Sequence, residues 1–167
     1  MALKTGLIGA GVFGGYHAGK IAESEIAEFT GVFDPDPARA KELASKYGVE
    51  AFGTQASLLA EADAVIIACP ATYHAETVRE AIAAGCHVLV EKPLALTGDE
   101  ASSLARAADA AKRVLQVGHQ ERLVLKAMGL FDLPETPVKI EAWRESPPAP
   151  TGRAGDVSVI FDLMIHD

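Results

Sequence analysis

The run Leu3-Lys4-Thr5-Gly6-Leu7-Ile8, followed at once by Gly9-Ala10-Gly11-Val12-Phe13-Gly14, decides how this chain is read. An apolar segment that reads as a buried strand leads into glycines spaced G-x-G-x-x-G, and residues 13–22 then read as a helix. The glycine spacing is informative in this context, between a strand and a helix. The first glycine permits the tight turn, the second lets a pyrophosphate approach the backbone, and the third lets the helix pack on the strand. The helix N-terminus then offers unpaired N–H groups and a partial positive charge to phosphates. Gly9, Gly11, Val12, Phe13 and Gly14 are therefore expected at a dinucleotide.

Outward from this turn the chain alternates. Short runs rich in Val, Ile and Phe at 29–33, 49–52, 64–68, 87–90 and 114–117 read as further strands. Ala-rich stretches with charged faces at 37–47, 55–61, 73–84 and 97–113 read as helices. Local signals support the boundaries: Asp36 and Pro37 open one helix and Gly48 closes it, Gly85 closes another, and Thr97 with Glu100 forms a capping box. Strands that alternate with helices make right-handed βαβ units, hence a parallel sheet covered on both faces. The expected class is α/β, a doubly wound dinucleotide-binding sheet over residues 1–118. The pattern changes after Gly118: a helix is expected at 121–130, a strand at 138–143, a Pro- and Gly-rich loop at 146–155 and an apolar helix at 157–165. Residues 119–167 read as the start of an incomplete α+β second domain.

Composition narrows the function classes. The chain has 167 residues, 49% hydrophobic and 23% charged, which is the balance of an ordinary globular protein rather than a disordered one. Its net charge of −8 without a basic cluster argues against nucleic acid as a partner. No apolar run is long enough to span a bilayer, and the N-terminus lacks a basic stretch followed by an apolar one, so a cytoplasmic protein is expected. Cys69 and Cys86 form neither a disulfide framework nor a metal-binding spacing and read as small buried hydrophobes.

Further residues carry chemistry. Asp34 ends the second strand, where a carboxylate can accept both ribose hydroxyls of the adenosine half and repel the extra phosphate of NADP. NAD is the expected cofactor and NADP is disfavoured. The stretch from Cys69 and Pro70 to His74 follows the fourth strand, and ligands of open α/β sheets lie beyond the carboxyl ends of strands. Cys69, Pro70 and His74 are thus expected near the nicotinamide half, although His74 alone reads as structural more readily than as a ligand. Glu91-Lys92-Pro93 ends the fifth strand. Lys92 there could hydrogen-bond a substrate hydroxyl and stabilise developing negative charge, and Pro93 restricts its backbone. Asp162 and His166 share one face of a helix, and a carboxylate beside an imidazole suits removal of a proton from an alcohol.

Taken in order, these motifs resemble the glucose–fructose oxidoreductase, inositol dehydrogenase and MocA family. The resemblance covers essentially the whole chain and is most specific at Glu91-Lys92-Pro93 and at the late Asp162/His166 pair. It implies an N-terminal Rossmann domain, a C-terminal domain built on an open antiparallel sheet, and NAD(P)-dependent oxidation or reduction of sugar and cyclitol hydroxyls. It implies Lys92 and His166 as the catalytic pair, Asp162 as their support, and Glu91 and Lys92 beside the cofactor. A narrower resemblance, at Gly118-His119-Gln120-Glu121-Arg122, Arg153 and Asp156-Val157-Ser158-Val159, is to the UDP-N-acetylglucosamine 3-dehydrogenase subgroup. The implied partner is a small molecule, a sugar, cyclitol or nucleotide sugar; self-association is left open. Family members are longer, so the resemblance also implies a C-terminally truncated chain. The alternative expectation is accordingly a cofactor-binding fragment with weak or no turnover. A relative of biliverdin reductase is a third reading, disfavoured by Lys92 with the Asp162/His166 pair.

Overall fold

The structure is a computed structural model that describes residues 2–131 together with Val138, Lys139, Glu141 and Trp143. The chain divides into two compact units, Met1–Val117 and Gly118–Asp167.

In the first unit, β1 (Leu3–Ile8), β2 (Ala27–Phe33), β3 (Glu50–Ala51), β4 (Ala64–Ile67), β5 (His87–Val90) and β6 (Leu115–Val117) alternate with helices α1 (Val12–Ala22), α2 (Pro37–Tyr47), α3 (Gln55–Glu61), α4 (His74–Ala83) and α5 (Gly98–Ala111). The strands form one six-stranded sheet in the order β3-β2-β1-β4-β5-β6, every pairing parallel. This is the doubly wound order in which the chain reverses direction between β1 and β4, the crevice where such sheets bind ligands.

Alternation along the strands builds two cores. Leu7 and Val32 face one side and pack with Ala18 and Ile21 of α1 and Ala44 of α2. Ile8, Val65, Ile67, Val88 and Val90 face the other and pack with Leu58 of α3, Val78 and Ile82 of α4 and Leu104 of α5. Neighbouring residues thus feed opposite layers, as strand geometry requires. Leu7, Leu58 and Ile67 are fully buried, and truncating any of them to Ala costs roughly 2–5 kcal/mol.

Helix ends follow local chemistry. Asp36 caps α2, its Oδ1 accepting from the Ala38 N–H at 2.9 Å, and Gly48 ends that helix with a left-handed φ of 67°. Thr54 Oγ1 accepts from the Ser57 N–H at 3.1 Å and Thr97 Oγ1 from the Glu100 N–H at 3.3 Å. Several boundaries differ from those expected. β3 keeps only Glu50–Ala51, because at the sheet edge it pairs with β2 alone. α5 stops before Arg113: Lys112 turns left-handed at φ 55° and closes it without a glycine. A 3₁₀ turn, Ala71–Tyr73, takes the first residue of the helix expected at 73–84, so α4 starts at His74. In the second unit α6 (Glu121–Ala127) is shorter than residues 121–130 because its last turn opens at Gly129, φ 74°.

Of the strand expected at 138–143, the described residues Val138, Lys139, Glu141 and Trp143 are not in strand conformation, and all of the loop at 146–155 and the helix at 157–165 lie outside the described residues. Among the described residues no helix is long and apolar enough to cross a membrane.

Candidate cofactor and active site

The glycine turn sits where β1 meets α1. Gly9 has φ 100°, and a Cβ there would lie 2.7 Å from the backbone of Ala68 and Cys69 at the end of β4. A Cβ on Gly14 would lie 2.0 Å from the Gly9 carbonyl oxygen, so α1 packs directly on the turn. Around Gly11 the position of a Cβ is open, with nothing within 4 Å. Gly11 is also the N-cap of α1 and supplies no side chain to the first turn, which holds no acidic residue. Two glycines are thus forced by packing, whereas the middle one leaves room beside the N-terminus of α1. That is the cradle a diphosphate needs, so these residues fit a dinucleotide.

Asp34 is almost fully buried just beyond β2. Its Oδ2 accepts from the Ala10 N–H at 2.7 Å and its Oδ1 from the Asp36 N–H at 2.8 Å. One carboxylate therefore holds the glycine turn and the turn into α2 together. A carboxylate oxygen accepts more than one hydrogen bond, so both oxygens keep capacity for further donors. Asp34 thus braces the turn, in addition to any contact with a ribose.

Beyond β4, the Cys69 thiol is a free, half-buried group. Burial pushes it up from its ordinary pKa, partly offset by a hydrogen bond with Thr77, so it is held as a thiol and packs against the core. Pro70 opens the 3₁₀ turn in an extended conformation. His74, expected near the nicotinamide half but reading as structural more readily than as a ligand, is tied to the chain itself. Its ring is 1% exposed, with Nδ1 2.7 Å from the Pro93 carbonyl oxygen and Nε2 2.9 Å from that of Cys69. Both ring nitrogens face backbone acceptors, leaving none for a direct polar contact with a cofactor. The ring ties the loop after β4 to the loop after β5.

Glu91 follows β5, and its N–H donates to the Ile67 carbonyl at 2.9 Å. Its Oε1 lies 2.7 Å from His17 Nε2, with side-chain exposures of 15% and 20%. Burial pushes the Glu91 carboxyl up. The His17 hydrogen bond and charge, with the Lys92 N–H and ammonium, outweigh this and hold it below its ordinary value. The sequence reading missed His17. The signal was there: residues 14, 17, 18 and 21 make one helical stripe, and its other members, Gly14, Ala18 and Ile21, are buried. A polar ring in an apolar stripe needs a partner. Val12 is exposed at the start of α1, and Phe13 packs edge-on against Tyr16 with ring centroids 6.1 Å apart. Asp162 and His166 lie outside the described residues.

A parallel sheet in this strand order, with a glycine cradle at the first strand end and an acidic residue at the second, defines a nucleotide-binding Rossmann domain. A sequence model described as the oxidoreductase family with an NAD-binding Rossmann fold, GFO/IDH/MocA, matches residues 3–119. The chain belongs to that family.

Individual relatives extend the likeness. The UDP-N-acetylglucosamine 3-dehydrogenase of Acidithiobacillus ferrooxidans is 39% identical over 99% of this chain and 52% of its own length. Its solved structure superposes with a TM-score of 0.91, covering 100% of this chain and 55% of that one. An inositol 2-dehydrogenase of Cereibacter sphaeroides is 33% identical over 100% of this chain and 52% of its own length. A 3-ketoreductase from Actinomadura kijaniata, solved with NADP, is 26% identical with a TM-score of 0.74, covering 79% of this chain and 43% of that one. The chain spans about half the length of the curated relatives it matches.

Proposed function

We propose that this chain serves an NAD-dependent dehydrogenase that transfers a hydride between the nicotinamide and a sugar or cyclitol hydroxyl, with a UDP-sugar such as UDP-N-acetylglucosamine the favoured substrate. Residues 1–118 hold the cofactor and residues 119–167 begin the substrate domain. One observation carries the reading: the glycine turn, Asp34, Cys69 and Lys92 all follow carboxyl ends of strands in one parallel sheet, on both sides of its switch point.

Gly11 and the α1 N-terminus would take the diphosphate, flanked by Val12 and Phe13. The spare capacity of Asp34 would take ribose hydroxyls, and its charge disfavours the 2′-phosphate of NADP. Cys69, Pro70 and Glu91 would lie along the nicotinamide half, whose bound ring supplies the hydride acceptor or donor. The Lys92 ammonium would donate to the substrate oxygen and stabilise the charge that grows there. His166 would take the hydroxyl proton, its ring oriented by Asp162 one helical turn earlier. The similarity to a UDP-N-acetylglucosamine 3-dehydrogenase favours the nucleotide sugar. A second reading is cofactor binding by residues 1–118 with little turnover.

The test is NADH formation from NAD with a panel of UDP-sugars, free sugars and inositols. UDP-N-acetylglucosamine is expected to give NADH, and Lys92→Met to lower the rate by about 100-fold with NAD affinity kept. An unchanged rate in Lys92→Met removes Lys92 from the chemistry. NAD binding with no NADH from any substrate selects the second reading, and tighter binding of NADP than NAD overturns the cofactor assignment.

A further inference from the structure

Glu91, Lys92 and Pro93 are consecutive, and the residues on either side of Lys92 are each held by a histidine from a different helix. His17, on α1, reaches the Glu91 carboxylate at 2.7 Å across 74 positions of sequence. His74, the first residue of α4, meets the Pro93 carbonyl at 2.7 Å across 19 positions, and the Cys69 carbonyl at 2.9 Å with its other nitrogen. A third tie, from the Glu91 N–H to Ile67, fixes the same segment to β4. We infer that His17 and His74 are positioning residues for Lys92, pinning its neighbours so that its ammonium is presented from a fixed backbone.

One anchor leaves a chain segment free to pivot, whereas anchors at positions i−1 and i+1 remove that freedom. The anchors also come from the two halves of the domain, α1 beside the glycine turn and α4 beyond β4, so the lysine is referenced to both. Glu91 adds charge to placement: kept ionised beside His17, it sits next to the Lys92 ammonium. Preorganisation of this kind is what a charge-stabilising group requires, because the donor must stand ready where charge develops.

This inference deepens the proposed function, since it takes Lys92 as the group that meets the substrate oxygen. Its test reads Lys92 without any substrate. The protein is acylated at one pH with an amine-reactive ester, and mass spectrometry gives labelling of Lys92 relative to exposed Lys41. His17→Phe and His74→Phe are expected to raise that ratio severalfold. His17→Gln and His74→Asn, whose amides still donate to Glu91 and Pro93, are expected to stay near wild type. A parallel NAD titration, unchanged in all four, shows that the cofactor site is intact. If His74→Phe does not fold, the His17 pair with His74→Asn decides. An unchanged ratio in folded Phe variants, or equal rises in His17→Gln and His17→Phe, overturns the inference. Where turnover is measurable, His17→Phe should lower kcat, by up to about 100-fold for a displacement near 1 Å, at constant KM for NAD. Unchanged turnover in Lys92→Met with a raised labelling ratio in the Phe variants would instead refute the role of Lys92 and leave the positioning intact.

Discussion

The glycine turn after β1 and the Glu91–Lys92–Pro93 segment after β5 stand at corresponding ends of one sheet, yet they are built by opposite means. The turn works by lacking side chains: Gly9 and Gly14 exist because a Cβ would meet backbone at 2.7 and 2.0 Å. The later segment works through side chains that reach it from far away, His17 from α1 and His74 from α4. A phosphate is recognised by backbone N–H groups, which need only an unobstructed surface. A reacting oxygen is addressed by one ammonium, which must be aimed. On the proposed reading, one end of a single sheet offers both a permissive cradle and a constrained donor, each made from different material.

Breaking the turn should have the largest effect. Gly14→Val places carbon against the Gly9 carbonyl, backbone that cannot give way cheaply. Stability is expected to fall by about 3 kcal/mol in a urea titration, and calorimetry should find no NAD binding. Next comes Asp34→Ala, which strips the acceptor from the Ala10 and Asp36 N–H groups. Each hydrogen bond to a charged group is worth about 1.5–3 kcal/mol. NAD affinity should drop by about tenfold or more as the turn loses its brace, while the preference for NAD over NADP narrows. A variant that keeps NAD affinity would show that the turn holds itself.

Gly11→Ala sharpens the comparison inside the turn. Its Cβ meets nothing within 4 Å, so urea stability should change by less than about 1 kcal/mol while NAD binding weakens severalfold. Equal losses of stability at Gly11 and Gly14 would deny that the two glycines do different jobs. The smallest effect belongs to the other segment. The Glu91 carboxyl is held below the ordinary glutamate value of 4.5. Its pairing therefore adds stability that is full above that value and is lost as pH falls through the lower, folded one. Glu91→Gln should flatten the acid limb of a stability profile measured between neutrality and acid. An unchanged limb would mean that the His17 contact contributes nothing in solution.

How far the sequence was readable follows the same division. The strand and helix starts at Leu3, Pro37, Gln55 and His87 were legible, because caps and turns are set by residues a few positions apart. The doubly wound parallel sheet was legible too, since crossover handedness leaves few topologies for alternating strands and helices. His17 was not, because nothing near it in sequence names Glu91, and only the sheet brings residues 17 and 91 together. His74 was named near the nicotinamide half while reading as structural more readily than as a ligand. Its place beyond β4 suggested a ligand, whereas the chain supplies its own acceptors, the Cys69 and Pro93 carbonyls. Asp34 was legible as a candidate for the ribose but not as a brace, since backbone N–H groups carry no signature in a sequence.

The outermost strands of the six-stranded sheet, β3 and β6, are two and three residues long. An open sheet always ends in strands with unmatched N–H and C=O groups, and a long flat margin is a template on which copies of a chain can stack. Margins this short offer too few groups in register to nucleate such growth. The long strands β1 and β2 lie inside, where both flanks are already matched. The sheet thus carries its own protection against fibrillar assembly, supplied by the brevity of its borders.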